Sequence, residues 1–228
     1  MQLVTVAGPP SAGKTAVILN IAKALLADGI TTGVIKFDCL STQDEKLYEK
    51  SNIAVKTGLS GNLCPDHFFV TNIQDCLEWG IKQAIDILIS ESAGLCNRCS
   101  PHIRGVMAVC VIDNLSGVNT PRKVGPMLKL ADVVIITKGD IVSQAEREVF
   151  AFRVKQANPG AKIIQVNGIT GQGAQEVSRL FKLAPQLDSL SGCHLRFSMP
   201  AAVCSYCLGQ TRVGEDFQMG NIRKMDLL

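Results

Sequence analysis

The chain has 228 residues, 46% of them hydrophobic and 19% charged, and 23 Lys+Arg against 20 Asp+Glu leave a net charge of +3. That length supports one sizeable domain with a buried core, or one domain with a short appendage. The balance excludes a disordered chain and offers no polybasic block for nucleic acid.

Apolar runs such as Val106–Ile112 and Val133–Ile136 are of strand length, far short of the ~20 residues of a membrane span. Met1 leads into Gln2-Leu3-Val4-Thr5 with no basic segment and no cleavable apolar stretch, so a cytoplasmic protein is expected. Nine cysteines, an odd number, argue against a disulfide framework and leave the thiols as packing groups or metal ligands.

Strand-like and helix-like segments alternate, which predicts an α/β fold: a mostly parallel sheet with helices on both faces. Leu3–Ala7 reads as a strand. Ala16–Asp28 reads as a helix, with Val17, Ile18, Ile21, Leu25 and Leu26 at helical spacing and Gly29 as its stop. Gly33–Phe37 is the second strand, and Ile73–Ile85 is a helix running into a strand at Ile85–Ser90. Val106–Ile112 and Val133–Thr137 are fully apolar strands suited to a sheet covered on both faces. Ser143–Ala157 follows as a helix, Ala161–Val166 as a strand and Gly173–Leu183 as a last helix. From about Ala184 the rhythm breaks down. Residues 1–185 are therefore expected to form the domain, and residues 186–228 a short irregular tail containing a cysteine pair.

Gly8-Pro9-Pro10-Ser11-Ala12-Gly13-Lys14-Thr15 matches G-x-x-x-x-G-K-[ST] between a strand and a helix, the context a phosphate-binding P-loop needs. Gly8 and Gly13 let the loop curl so that backbone N–H groups and the helix N-terminus face a phosphate. Lys14 would set a charge on the β/γ-phosphates, and the Thr15 hydroxyl would hold Mg²⁺. A nucleoside triphosphate is the expected ligand. Pro9 stands where the partitioning and nitrogenase-iron-protein ATPases hold a second lysine, which argues against that group.

Thr137-Lys138-Gly139-Asp140 closes an apolar strand in the manner of [N/T]-K-x-D. The Asp140 carboxylate would accept from guanine N1–H and the exocyclic amine while the Lys138 stem packs over the base. Adenine lacks that donor pair, so GTP is expected rather than ATP, although Thr137 stands where asparagine is commoner.

The order of motifs resembles the GTPases that insert nickel during urease and hydrogenase maturation, relatives of the cobalamin-associated metallochaperones. Carrying the resemblance are Phe37-Asp38-Cys39, Cys64-Pro65-Asp66-His67, Glu91-Ser92-Ala93-Gly94, Ile112-Asp113, Pro121-Arg122-Lys123-Val124-Gly125-Pro126, Ala131-Asp132-Val133-Val134 and the Lys138/Asp140 element. It extends over roughly residues 1–185, and the Glu-x-x-Gly and Pro-Arg-Lys-x-Gly-Pro stretches make it closer to the urease type than to a generic GTPase. It implies that Asp38 sits in a first switch near Mg²⁺ and that Glu91 ends the strand facing that metal. The Gly94 backbone would sense the γ-phosphate. Glu91 has its own rationale, since a carboxylate at the C-terminal end of a parallel strand lies in the ligand crevice of such sheets.

The family places a Cys-Pro-His element at a metal site shared across a dimer. Here one residue is inserted, and Cys64 and His67 stand three apart. Cys96-Asn97-Arg98-Cys99-Ser100-Pro101-His102 presents two thiols and an imidazole in one loop, a set that suits Zn²⁺, Ni²⁺ or an iron–sulfur cluster. Cys204-Ser205-Tyr206-Cys207 adds a second pair. The two pairs would build one four-sulfur site, or each would meet its copy across a two-fold axis, where a [4Fe–4S] cluster is as reasonable as zinc or nickel. Cys39, Cys76, Cys110 and Cys193 read as ordinary small apolar residues.

The leading expectation is a Mg²⁺-dependent, homodimeric GTPase that binds a transition metal or cluster and delivers it to a client metalloenzyme or its maturation complex. Neither nucleic acid nor membrane is expected as a partner. Two alternatives stand beside it: an iron–sulfur protein that transfers electrons or clusters under nucleotide control, and a regulatory GTPase whose cysteines are structural.

Overall fold

The computed structural model describes residues 1–198 and 209–227. Seven strands form one sheet: β1 (Gln2–Ala7), β2 (Thr32–Asp38), β3 (Ala54–Leu59), β4 (Ile87–Glu91), β5 (Met107–Asp113), β6 (Val133–Thr137) and β7 (Lys162–Gln165). Their spatial order is β3-β2-β4-β1-β5-β6-β7, every pairing parallel. Helices α1 (Lys14–Ala27), α2 (Glu45–Glu49), α3 (Pro65–Lys82), α4 (Thr120–Lys123), α5 (Pro126–Lys129), α6 (Gln144–Ala157) and α7 (Ala174–Phe181) supply the crossovers and cover.

Strand residues alternate between the two faces, and the core divides accordingly. On one face Val4, Val6, Val34, Ile89, Val109 and Ile135 pack beneath Val17, Ile18 and Ile21 of α1 and Val177 and Phe181 of α7. On the other, Leu3, Ile35, Phe37 and Leu88 meet Phe68, Phe69, Ile73 and Leu77 of α3, with Phe37 edge-on to Phe69 at 5.1 Å between ring centroids. Further along that face Cys110, Ile112, Val134 and Ile136 lie under Met127, Phe150 and Val154. The buried strands β1, β4, β6 and, from Ala108 on, β5 are the ones that read as apolar runs.

Several boundaries differ from the expectation. Helix α3 begins at Pro65, not near Ile73, because proline at the first helical position needs no N–H partner. It stops at Lys82, and Ala84 at φ 53° turns the chain into β4. The edge strand β3 carries exposed and polar residues (Ala54, Lys56, Thr57) and gives no apolar run to detect. Helices α4 and α5 are single turns that flank Val124 and Gly125 of the Pro121–Pro126 motif, each with a proline in its first turn.

Among the described residues after 185 there are isolated bridges, Gln2↔Gln186, Ile103↔Leu195 and His194↔Arg212, and one 3-10 turn at Glu215–Phe217. This segment is nonetheless packed: Leu190, Leu195 and Val213 are buried with the α3 face of the core. Arg196 forks onto Asp132 at 2.7 Å and donates to the Val106 and Leu130 carbonyls. Among the described residues no helix is long and apolar enough to cross a membrane.

Candidate nucleotide and metal sites

The loop after β1 enters α1 through Gly13 in left-handed conformation, and no side chain caps the helix N-terminus. Those N–H groups face the loop, ready for an anion. Lys14 Nζ donates to the Gly8 and Pro9 carbonyls at 3.0 Å each, which arches the loop over the ammonium. Burial lowers the Lys14 pKa, with the charge of Glu91 opposing that shift. Across the loop Gly94 has φ +72°, and a Cβ there would sit 1.8 Å from the Gly8 carbonyl oxygen and 3.2 Å from Lys14 Nζ. Only glycine lets the segment after β4 touch the phosphate loop.

A cleft of about 590 Å³ opens beside the loop, lined in part by Lys14, Thr15, Lys36, Asp38, Asp44 and Glu91. Thr15 Oγ1 donates to Glu91 Oε1 at 2.8 Å and lies 3.1 Å from Asp44 Oδ2. Lys36 Nζ contacts the same two carboxylates, and Tyr48 Oη donates to Glu91 Oε2 at 3.0 Å. Burial opposes the charge on Lys36, but Glu91 and Asp44 more than offset it and raise its pKa. Burial and the neighbouring Glu91 carboxylate hold the Tyr48 hydroxyl far above its ordinary pKa, so it acts as a donor.

Thr15, Asp44 and Glu91 offer only hard oxygens, a donor set that fits Mg²⁺. Asp38 lines the cleft, but its Oδ1 accepts from the Cys39 N–H at 2.8 Å and it does not join that trio. Asp44, which was not among the expected residues, is the carboxylate that reaches Thr15 beside Glu91. The overlooked signal was Lys36, a charge inside the apolar strand Val34-Ile35-Lys36-Phe37, which required a buried anion beside it.

At the end of β6, Thr137 Oγ1 donates to the Ala12 carbonyl at 2.7 Å and Lys138 Nζ to the Ser11 carbonyl at 2.8 Å. The end of β6 is thus fastened to the phosphate loop. Lys138 has φ 58° and an ion pair with Asp113 at 3.4 Å. Asp140 lines a neighbouring cleft of about 350 Å³ with Arg147, Asn167 and Gly173.

Metal-capable groups gather on the other side of Gly94. The ligand atoms of Asp66, Cys96 and Cys99 lie within 4.8 Å of one another, joining the start of α3 to the loop after β4. Asp66 and Cys99 are buried, Cys96 partly so. Burial raises the Asp66 pKa to about 6, against a hydrogen bond with Cys99. The Cys99 thiol is pushed far up by burial, by Asp66 and by its neighbours Cys96 and Cys64. Cys64 stands just before α3, at its N-cap. Gly125, at φ +69°, abuts the Asn97 carbonyl, where a Cβ would sit at 2.3 Å. The Pro121–Pro126 motif thereby braces the cysteine loop.

Two expected ligands fall elsewhere. His102 is a core residue: Nε2–H donates to the Met127 carbonyl at 2.9 Å, and Nδ1 faces the Thr5 hydroxyl at 3.0 Å. Burial lowers its pKa to about 4, so it is neutral at pH 7 with both nitrogens engaged. The chain turns inward after Cys99, which the C-x-x-C-x-x-H spacing does not reveal. His67 is buried on α3 and burial lowers its pKa, but it is outside the Asp66/Cys96/Cys99 group. Asp66, the inserted residue of Cys-Pro-Asp-His, takes its place. Cys204 and Cys207 lie outside the described residues. Cys110 is fully buried in β5, its pKa raised to about 12 by burial, as expected for a packing residue.

His102→Ala would leave the Met127 carbonyl and the Thr5 hydroxyl without their buried partner and open a cavity. The expected loss of stability is about 2–4 kcal/mol, read by denaturant unfolding, with metal stoichiometry unchanged. Loss of bound metal from a folded His102→Ala protein would return His102 to the ligand set.

The family model described as "CobW/HypB/UreG, nucleotide-binding domain" matches residues 2–165. The chain belongs to this family. An uncharacterized protein of Methanocaldococcus jannaschii is 46% identical over 226 residues, covering 99% of this chain and 97% of that one. Urease accessory protein UreG of Yersinia pestis is 30% identical over 186 residues, 75% of this chain and 84% of the relative. Among solved structures, HypB from Helicobacter pylori in complex with nickel superposes with TM-score 0.64 at 18% identity, covering 83% of this chain and 91% of the other. Hydrogenase maturation factor HypB from Archaeoglobus fulgidus gives 0.61 at 20% identity, with 80% and 89% covered. At such identities these structures speak to the P-loop α/β fold of this family member. What the resemblance implied for the family and fold is therefore met.

Proposed function

We propose that this protein is a GTPase that binds a transition metal and hands it to a client metalloenzyme under nucleotide control. One observation carries the reading: Cys96 and Cys99, which meet Asp66 of α3, stand on the loop that leaves Gly94, and Gly94 abuts Gly8 and Lys14. Only Leu95 separates Gly94 from Cys96, so occupancy of the phosphate loop would reach the cysteines along the backbone. A family that includes urease and hydrogenase maturation proteins supports nickel as the cargo, and soft thiolates suit nickel or zinc.

In this reading Lys14 and the open N-terminus of α1 bind and orient the phosphates. Thr15, Asp44 and Glu91 would hold Mg²⁺, which when bound neutralises the β/γ-phosphate oxygens. Lys138 and Asp140 select guanine. Hydrolysis would let the segment after Gly94 move, loosening the thiolates for transfer. The homodimer of the resemblance would bring two such loops together.

The test is metal content of anaerobically purified protein with GTP, with GDP and without nucleotide. Nucleotide-dependent uptake of Ni²⁺ or Zn²⁺ supports the proposal, and uptake indifferent to nucleotide sinks it. A brown protein rich in iron would instead favour the iron–sulfur alternative. Base choice has its own check. Asp140→Asn replaces an acceptor by a donor, so GTP affinity should fall by at least tenfold while xanthosine triphosphate, with an oxygen at C2, gains. Equal GTP binding by titration in Asp140→Asn would remove Asp140 from base recognition.

A further inference from the structure

Lys36 and Glu91 are register partners on adjacent parallel strands, so both side chains leave the same face near the C-terminal edge of the sheet. Lys36 Nζ lies 2.7 Å from Asp44 Oδ2, 2.8 Å from Glu91 Oε1 and 3.3 Å from Thr15 Oγ1. Its side chain is only 8% exposed. These three oxygens are the set that fits Mg²⁺. A compact ammonium already sits among them, and an ammonium and a divalent cation cannot share one position.

We propose that Lys36 is a tethered cation that holds the divalent-metal position in the nucleotide-free protein, so that Mg²⁺ enters only together with a nucleotide. This rests on the reading of Thr15, Asp44 and Glu91 as the Mg²⁺ site. Without a cation the Asp44 and Glu91 carboxylates would repel each other at short range in a partly buried cleft. The ammonium removes that cost and makes free metal compete for its ligands. Nucleotide phosphates change the balance, because they bring further oxygen ligands for the metal and an anion for the displaced ammonium. Lys36 lines the same cleft as Lys14, so it stays close enough to serve there as a second phosphate-facing charge. Asp44 precedes α2 and Tyr48 within α2 donates to Glu91. Exchange of ammonium for metal is therefore transmitted directly to α2.

The experiment titrates Mn²⁺ into the full chain without nucleotide and counts free ion by electron paramagnetic resonance. Lys36→Met and Lys36→Gln should bind Mn²⁺ at least tenfold more tightly than the wild type. Lys36→Arg, which keeps the charge, should stay weak, and adding Glu91→Gln to Lys36→Met should erase the gain. Neutral variants no tighter than wild type, or a gain that survives Glu91→Gln, would overturn the proposal. Should the neutral variants fail to fold, wild-type melting decides: Mn²⁺ should raise the melting temperature only when nucleotide is present, and an equal rise with Mn²⁺ alone refutes it. A fluorescent guanine nucleotide titrated into the wild type checks the underlying reading separately. No binding there sinks that reading, whereas normal nucleotide binding with no gain in the neutral variants sinks this proposal alone.

Discussion

Replacing Lys14 by alanine is expected to lower GTP affinity by about two orders of magnitude while the chain stays folded. The Lys14 ammonium is held at 3.0 Å from the Gly8 and Pro9 carbonyls at the mouth of α1, where the phosphate chain would lie. Truncating one partner of a buried, hydrogen-bonded charge pair costs about 2–5 kcal/mol, and about 3 kcal/mol corresponds to roughly a hundredfold in affinity. The fold loses little by comparison. Pro9 is only half-buried, so its carbonyl can turn to water, and the apolar face of α1 (Val17, Ile18, Ile21) keeps its contacts. Fluorescent-nucleotide titration and circular-dichroism melting separate the two effects. Undiminished GTP affinity in a folded Lys14→Ala protein would remove the phosphate-loop assignment altogether.

How far the fold could be read depended on which residues face the core. The buried strands β1, β4, β5 and β6 announce themselves as apolar runs, and α1 and α6 by helical spacing with recognisable ends. Ser143 closes a capping box with Glu146, a signal local enough to survive any tertiary context. Strand β3 lies at the sheet edge with mixed polarity, and its assignment requires knowing that β2 needs a neighbour. The phosphate loop was legible because its chemistry is contiguous. Contacts between strands were not: the Lys36–Glu91 pair spans 55 positions, and Asp44 reaches Thr15 across 29. The cysteines show the same divide. Residue types and spacing marked Cys64, Cys96 and Cys99 as candidates, but only the packing of α3 against the loop after β4 sets Asp66 beside Cys96 and Cys99 and sends His102 into the core.

The Cys96→Ser/Cys99→Ser protein should lose metal affinity by at least about two orders of magnitude and keep GTP binding within about threefold. Serine is close to cysteine in size, so α3 and Gly94 keep their places, but a hydroxyl does not ionise at neutral pH to become a ligand. In the metal-free protein, burial and the nearby Asp66 carboxyl keep Cys99 protonated, and burial raises Asp66 itself to about 6. A metal must therefore displace protons from both, so uptake should strengthen as pH rises through 6 and weaken below it. Because the Asp66 pKa is raised from 3.8 to about 6 in the folded state, stability falls as the pH rises from about 4 through 6, and the full cost persists above that. A bound cation offsets that cost, so metal should raise the melting temperature of the wild type more at pH 7.5 than at pH 5.5. The double-serine protein should show no such pH-dependent gain. Full metal stoichiometry in it, measured by elemental analysis after gel filtration, would move the metal site away from this loop. Nucleotide gating would then need a route that does not pass through Gly94.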